Sequence, residues 1–286
     1  MSRDAVVHGV LLGGLYATIA LGLSLVFGVM RLVNLAHGVL LTGGAYLSYL
    51  VISHLELDPL VSLVLVCPAM FAVGYALQRL LLTRLLLRGA EPVLVATFGL
   101  MLLGQSIFTR AFTANPKSLD ASYGSSGVTI LGVRVRVSDL IGFGLAVAIV
   151  ALIAALLKFT QFGAAVRAAA VDPVTATSVG IDVRHLYAVT FGIAASLAAV
   201  GGVIIGVGLS FTPTSGIEYL TIGFTVVVLG GLGSVVGTLL AAIVVGLAQQ
   251  IGGEVFGPSY QNLTVYVLFI LLIGLRPQGL FAPRGA

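Results

Sequence analysis

The sequence is poor in charge. Only 8% of its 286 residues are Asp, Glu, Lys or Arg, and 59% are hydrophobic, whereas a soluble domain carries about 25% charged residues. So little charge excludes an ordinary water-exposed surface. Lysine occurs only at Lys117 and Lys158, and neither follows the glycine spacing of a phosphate-binding loop. We therefore expect that this chain does not hydrolyse ATP, is not an enzyme and needs no cofactor.

Other residue types that build chemical sites are also scarce. The single cysteine, Cys67, excludes an internal disulfide, and we interpret it as a packed thiol. The net charge of +4 comes from scattered basic residues, unlike the clusters of a nucleic-acid-binding protein. We expect no nucleic-acid partner. We also expect no metal site, because no metal-ligand spacing links the four histidines His8, His37, His54 and His185.

Long apolar runs make up most of the chain. A helix needs about 20 apolar residues to cross the hydrocarbon of a lipid bilayer, and its backbone polar groups must be paired within it. The sequence predicts an all-α, polytopic membrane protein with roughly eight transmembrane helices, one or two of them broken or re-entrant, in one membrane-embedded domain over 1–286. The runs are 5–30, 60–78, 92–109, 140–157, 186–217, 219–253 and 255–275, with a less apolar segment near 35–53.

The run 219–253 is too long for one upright helix. Its 35 residues would span about 52 Å, against about 30 Å of hydrocarbon. Gly230, Gly231 and Gly233 lie in its middle, and glycine permits left-handed backbone and weakens a helix. We expect two shorter helices that meet at a break; the alternative is one tilted helix with glycines for close packing. Glu218 precedes the run, where capping of a helix N-terminus is favoured over substrate contact.

A second interruption, "FGVMRLVNLAHG", lies between two apolar segments at 27–38. Polar side chains at membrane depth are functional candidates, and interrupted helices often mark the substrate path of a transporter. For His37 the favoured alternative is a hydrogen bond to a neighbouring helix, and for Arg31 it is a role as a helix-end anchor. The candidate translocation path comprises Asn34, His37, Gly230, Gly231 and Gly233.

The stretch "RAAAVDPVTATSVGID" has the signals of a short, separate helix over 173–179. Asp172 is a strong N-cap residue, Pro173 suits the first helical position, and Gly180 suits the left-handed position past the last turn. An isolated helix of two turns is marginally stable and must pack against something. Two interpretations stay open from the residues alone, a docking element for a partner protein and a capped turn on the membrane surface.

Basic residues indicate an orientation. Positive charges are more frequent in the cytoplasmic loops of membrane proteins. Six of them favour the cytoplasmic side for the segments 79–88 and 158–184, the second of which contains most of the segment about 159–185. Four lie in the loop 110–139, which contains the main outer loop, about 111–138, where "VTILGVRVRVSD" alternates like a short hairpin strand. The six are Arg79, Arg84, Arg88, Lys158, Arg167 and Arg184, and the four are Arg110, Lys117, Arg134 and Arg136.

Four blocks of the sequence resemble the permease subunits of branched-chain amino-acid ABC importers. They are "GLYATIALGLSLVFGVMRLVNLAHG", "RAAAVDPVTATSVGIDVRHLYAVTFGIAASLAAVGGVIIG", "VVLGGLGSVVGTLLAAIVVG" and "LRPQGLF". The resemblance implies that the segment about 159–185 is a cytoplasmic coupling segment that docks on an ATP-binding subunit. The residues implied in coupling are Arg167, Asp172, Pro173, Thr175 and Gly180. Arg167 begins the triplet that takes the place of the Glu-Ala-Ala start of the general importer motif.

The resemblance also implies a function and its partners. The expected function is the translocation step of an importer for branched-chain or related amino acids in the bacterial cytoplasmic (inner) membrane. The expected partners are two ATP-binding subunits, a second homologous permease and a periplasmic or lipoprotein substrate-binding protein. Arg276 and Arg284 would then be cytoplasmic. The alternatives are a permease for urea or short-chain amides, a passive channel and, with no paired titratable residues to support it, an intramembrane enzyme.

Overall fold

The computed structural model describes residues 2–124, 126–130, 132–276 and 279–281. Arg284 and part of "LRPQGLF" lie outside these residues. The helices are α1 Arg3–Met30, α2 His37–Leu55, α3 Pro59–Ala76, α4 Thr83–Leu86, α5 Ala90–Phe112, α6 Val137–Phe159, α7 Gln161–Val171, α8 Pro173–Ser178, α9 Val183–Gly208, α10 Ser215–Gly230, α11 Val235–Phe256 and α12 Gln261–Leu275. A π-helical segment, Leu77–Leu82, joins α3 to α4, and a 3₁₀ turn, Pro258–Tyr260, precedes α12.

The described residues form eight helical segments long and apolar enough to cross a membrane, and α10 is a shorter apolar helix of 16 residues. These findings confirm the prediction of an all-α, polytopic membrane protein. The hairpin in the loop between α5 and α6 is also confirmed. Its antiparallel strands are β1 Gly127–Ile130 and β2 Val133–Arg136.

Helices α1 and α9 form the centre of the bundle. In each of them, 78% of the most apolar 18-residue stretch is buried. Glycines on α1 let α11 approach closely. A Cβ atom added to Gly13 would lie 2.6 Å from Ile243 Cα, and one added to Gly9 would lie 2.8 Å from Leu247 Cα. The backbones of α1 and α11 are therefore in direct contact, which is the packing that small residues allow between membrane helices.

Opposite ends of the bundle carry different connections. Lys117, in the loop between α5 and α6, pairs with Phe211 in an antiparallel bridge, so that loop and the link from α9 to α10 share one end. The hairpin packs at the same end, where Val133 and Val135 contact Leu11 near the start of α1. Helices α7 and α8 follow the far end of α6 and precede the start of α9, so they lie at the other end.

The long apolar run is broken, as predicted, and the alternative of one tilted helix is wrong. Helix α10 ends at Gly230 and α11 begins at Val235, and the turn between them contains Gly231 and Gly233 with φ of +86° and +87°. Helix α10 runs beside α1 in the same direction, and α11 returns in the opposite direction. The run is therefore a helical hairpin, so its 35 residues do not have to span the membrane as one helix.

Two elements were not indicated by the sequence. The apolar run 60–78 continues as a helix to Leu86 through the π-helical segment, where the Thr83 hydroxyl donates a hydrogen bond to the Gln78 carbonyl oxygen at 2.7 Å. Helix α7 was also missed. Its pattern is short and alanine-rich, so hydrophobic periodicity gives it no distinct signal.

Candidate functional site

Helix α8 begins at a fully formed N-cap. One carboxylate oxygen of Asp172 accepts the backbone N–H of Val174 at 2.9 Å, and the other accepts the Thr175 hydroxyl at 2.5 Å. Chiefly the bond from the Thr175 hydroxyl, and then the backbone amides, lower the pKa of the Asp172 carboxyl below its ordinary value. Pro173 occupies the first helical position, where its missing N–H has no cost. The predicted start of this helix is confirmed.

The other end of α8 is closed by a Schellman motif. Gly180 has φ of +90°, its N–H bonds the Thr177 carbonyl at 3.0 Å, and the N–H of Ile181 bonds the Ala176 carbonyl at 3.1 Å. The helix ends at Ser178, one residue before the predicted end, because the cap residue already leaves helical geometry. Caps at both ends make these two turns a defined element.

Arg167 connects α7 to the end of the preceding helix α6. Its guanidinium donates a hydrogen bond to the carbonyl oxygen of Leu157 in the last turn of α6. Thr160 caps the start of α7 by accepting the backbone N–H of Gly163 at 3.1 Å. Because both contacts fix α7 against the end of α6, Arg167 orients the segment from which α8 projects.

Apolar side chains cover the outside of this segment. Val171, Val174 and Val179 are 82%, 74% and 72% exposed, while Ala176 on the inner side of α8 is buried. A groove of about 850 Å³ runs between α8, the end of α4 and the start of α9. We call the three valines and this groove the α8 surface. Exposed apolar side chains grouped on a segment outside the spanning helices are typical of a protein interaction site.

Two side-chain contacts connect α3 and its π-helical extension to the start of α9. Arg79 lies 4.0 Å from the Asp182 carboxylate, and the Tyr75 hydroxyl lies 3.0 Å from Nδ1 of His185. Asp182 also caps α9 by accepting the backbone N–H of His185 at 3.0 Å, and mainly this bond lowers the pKa of Asp182. The loop after α8 is therefore tied to a second spanning segment.

The polar residues of the first interruption lie inside the bundle. His37 is fully buried, and its Nε2 lies 3.0 Å from the carbonyl oxygen of Ile19 in α1. The Asn34 side-chain oxygen accepts the backbone N–H of Ala36 at 3.1 Å, which shapes the turn before α2. The hydrogen bond favoured for His37 is confirmed. A role of Asn34 and His37 in a translocation path stays a prediction.

The predicted path residues form two groups. His37 packs beside Gly22 of α1, whereas Gly233 packs on Gly28, more than one turn further along the same helix. A Cβ atom added to Gly28 would lie 2.7 Å from Gly233 Cα. Gly230 and Gly231 belong to the same tight turn, so this group marks the closed end of the helical hairpin.

A polar network links four helices. The Tyr16 hydroxyl donates to Oε1 of Gln249 at 2.5 Å, Nε2 of Gln249 donates to Oδ1 of Asn262 at 2.8 Å, and Nδ2 of Asn262 donates to Oε1 of Glu218 at 3.0 Å. Sequence patterns did not indicate this network, because its members come from α1, α11, α12 and α10. The sequence signal that could have indicated the network is the occurrence of amide and carboxyl side chains at the edges of apolar runs.

Comparisons with known proteins give a consistent result. A family model described as "Branched-chain amino acid transport system / permease component" matches residues 5–275. The high-affinity branched-chain amino acid transport system permease protein BraD of Pseudomonas aeruginosa is 30% identical over 96% of this chain and 94% of its own. The corresponding protein LivH of Escherichia coli is 27% identical over 96% and 93%, and a probable LivH of Methanocaldococcus jannaschii is 26% identical over 96% and 89%.

The match covers the elements described above, from α1 to α12. It includes the capped helix α8, the interruption before α2 and the helical hairpin of α10 and α11. Neither the family model nor the three relatives leaves a large part of the chain unmatched. The chain therefore belongs to the family of permease components of branched-chain amino acid transport systems.

Proposed function

We propose that this chain is the translocation subunit of an ATP-driven importer for branched-chain amino acids. The observation that carries the proposal is the α8 surface, a twice-capped helix with exposed valines at one end of a bundle whose family is that of transport permeases. The printed names of the relatives supply the substrate class, and they do not favour the urea or amide alternative.

In this proposal α8 transmits motion from an ATP-binding subunit. Asp172, Pro173 and Thr175 hold the first turn, and Gly180 closes the last one, so a push on α8 moves the helix as a unit instead of unwinding it. Arg167 passes the displacement to α6 through the Leu157 carbonyl. A helix that short keeps its shape under load only because both ends are capped.

The displacement would also reach the centre of the bundle. The loop after α8 carries Asp182, which caps α9 and contacts Arg79 of the π-helical segment. Helix α9 packs against α1, α2 and α3. Asn34, His37 and the glycine turn at Gly231 lie between these helices or at their ends, where a small shift would change access to a path.

We assign the partners from the needs of this mechanism. Two ATP-binding subunits would dock at the α8 surfaces of two permeases, this chain and a homologue, and a periplasmic or lipoprotein receptor would deliver substrate at the end that carries the β1–β2 hairpin. The complex would lie in the bacterial cytoplasmic (inner) membrane, with α7 and α8 in the cytoplasm. The chain would need no cofactor of its own, since its partners supply the ATP chemistry.

A cysteine crosslink tests the coupling role. Val174→Cys, in a Cys67→Ser background, places a thiol on the exposed side of α8 without touching the Asp172 cap. We expect the thiol to crosslink to a co-purified ATP-binding subunit, with a yield that changes when nucleotide is added. Ser126→Cys, in the loop at the other end of the bundle, is the matched control and should give no such product. Equal yields at both positions, or none at α8, would contradict the proposal.

A further inference from the structure

Glu218 is a carboxylate in the first turn of the apolar helix α10. It is joined through Asn262 and Gln249 to Tyr16, which lies at the midpoint of α1. Helix α1 is about 42 Å long, so its midpoint is far from both of its ends. A charged side chain that joins a polar network within a membrane-spanning bundle is costly and marks a substrate path or an ion pair.

The charge of Glu218 has no ion-pair partner among the described residues. The side chain is exposed, its hydrogen-bond donor is the neutral amide of Asn262, and the ion pairs found among the described residues do not include it. Capping of α10 alone does not explain the position of the Glu218 carboxylate. A carboxylate that caps a helix needs no chain of amide side chains that holds it toward α12. Among the described residues no cation takes this charge, so the carboxylate can bind a cation that approaches from outside the bundle.

A mostly apolar groove begins next to this carboxylate. Thr221 and Thr225 lie three and seven residues after Glu218, on the same stripe of α10, and both line the groove. Tyr266, one turn after Asn262 on α12, lines it from the other side. The groove has a volume of about 330 Å³, and most of its remaining lining is apolar. A negative group beside an apolar slot complements a small molecule with an ammonium group and a hydrocarbon side chain.

We propose that Glu218 and this groove bind the amino acid as it crosses the membrane. The Glu218 carboxylate takes the α-ammonium group, and the groove between α10 and α12 takes the branched side chain. The identification of the ligand rests on the proposed function, while the carboxylate and the groove are properties of the fold. Asn262 and Gln249 are positioning residues in this scheme, because they hold the carboxylate at the mouth of the groove.

Thiol labelling of the assembled complex in proteoliposomes tests the site without relying on transport. Thr221→Cys, in a Cys67→Ser background, puts a thiol in the groove. The labelling ratio is the rate of thiol labelling by cationic 2-aminoethyl methanethiosulfonate divided by the rate with neutral methyl methanethiosulfonate. We expect this ratio to fall about tenfold when Glu218→Gln removes the charge. Glu254→Gln removes the same charge outside the groove and should leave the ratio unchanged. Millimolar leucine should slow labelling only while the Glu218 carboxylate is present.

Three outcomes would overturn the inference. They are a labelling ratio that does not depend on Glu218, a lack of protection by leucine, and a ratio that responds in the isolated chain but not in the assembled complex. The third would mean that a cation of the partner permease occupies the carboxylate. If one of these outcomes occurs while the Val174→Cys crosslink still forms, the coupling role of α8 stands. If only the crosslink is lost, the coupling role is overturned and the proposed Glu218 site is not affected.

Discussion

At the scale of single residues, Asp172 shows how one side chain defines an element. Its two carboxylate oxygens bond separate groups of the first turn, the Val174 amide and the Thr175 hydroxyl. The hydroxyl bond also makes Thr175 part of the cap. Because the next residue is Pro173, the chain cannot continue the preceding helix α7 through this point, and α8 starts in a fixed direction.

Replacing Asp172 should impair coupling but leave the bundle folded. Asp172→Ala removes both acceptors, so we expect ATP-driven uptake to fall roughly fivefold while the chain still co-purifies with its partners. Asp120→Ala, an exposed carboxylate in the loop at the other end, is the control and should transport normally. Uptake by Asp172→Ala at the control level would mean that the cap has no part in coupling.

The cap should withstand mild acid. Hydrogen bonds lower the pKa of Asp172 below its ordinary value of 3.8, and a group whose folded pKa is depressed contributes stability above the ordinary pKa and loses it as the pH falls through the folded value. The protection of the Val174 amide, its intrinsic exchange rate divided by the measured rate, should therefore stay constant through the ordinary carboxyl range and fall only below it. Asp172→Asn, which has no titration there, should show no such step, and a step above pH 5 in the parent chain would contradict this assignment.

Local chemistry explains which residues could be predicted. Asp172, Pro173 and Gly180 act on neighbours within a few positions, so their spacing alone predicted the capped helix. Glu218 and Asn262 are 44 positions apart, and each one alone looks like an ordinary residue near a helix start. Their bond depends on how α10 and α12 come together, which no pattern within one segment contains.

At the scale of elements, glycine has different roles in the α10–α11 turn and in the α1–α11 contact. In the turn, Gly231 and Gly233 adopt positive φ, which other residues rarely do. In the contact, Gly9 and Gly13 of α1 have ordinary helical backbone but no room for a side chain. The turn was predictable because a helix through it would exceed the bilayer, whereas the partner of the α1 glycines was not.

The close α1–α11 contact can be tested by stability measurements. A Cβ atom at Gly13 would meet the α11 backbone at 2.6 Å, whereas one at Gly144 in α6 would meet nothing within 4 Å. We expect Gly13→Ala to lower the free energy of unfolding by about 1–3 kcal/mol through overpacking. Gly144→Ala should be neutral or stabilising, since alanine is the better helix former. Thermal denaturation in detergent compares them, and equal midpoints would contradict the close α1–α11 packing.

The π-helical segment shows a limit of prediction at this scale. Leu77–Leu82 has the composition of any apolar helix, with Gln78 and Arg79 in it. The Gln78 side chain is fully buried, and Arg79 reaches Asp182 in the loop after α8. Such a shift in hydrogen bonding depends on the neighbours of the helix rather than on its own sequence, and it frequently occurs at functional sites.

At the scale of the whole molecule, the bundle separates two surfaces. The α8 surface lies at one end, the β1–β2 hairpin at the other, and the buried helices α1 and α9 connect them. The apolar runs predicted the number of spans well, because crossing a bilayer imposes a length on each helix. The order in which the helices pack was not predictable, since apolar faces without periodicity leave many arrangements open.

The most direct measurement of the central claim is leucine uptake into proteoliposomes that contain the assembled complex. The substrate-binding receptor is placed outside the vesicles and ATP inside them, on the side that carries the α8 surface. We predict that leucine accumulates inside above its external concentration. No accumulation should occur when ATP or the receptor is omitted. The Asp172→Ala complex should accumulate less. Leucine that merely equilibrates across the membrane, at a rate independent of ATP, would contradict the account and indicate a passive channel.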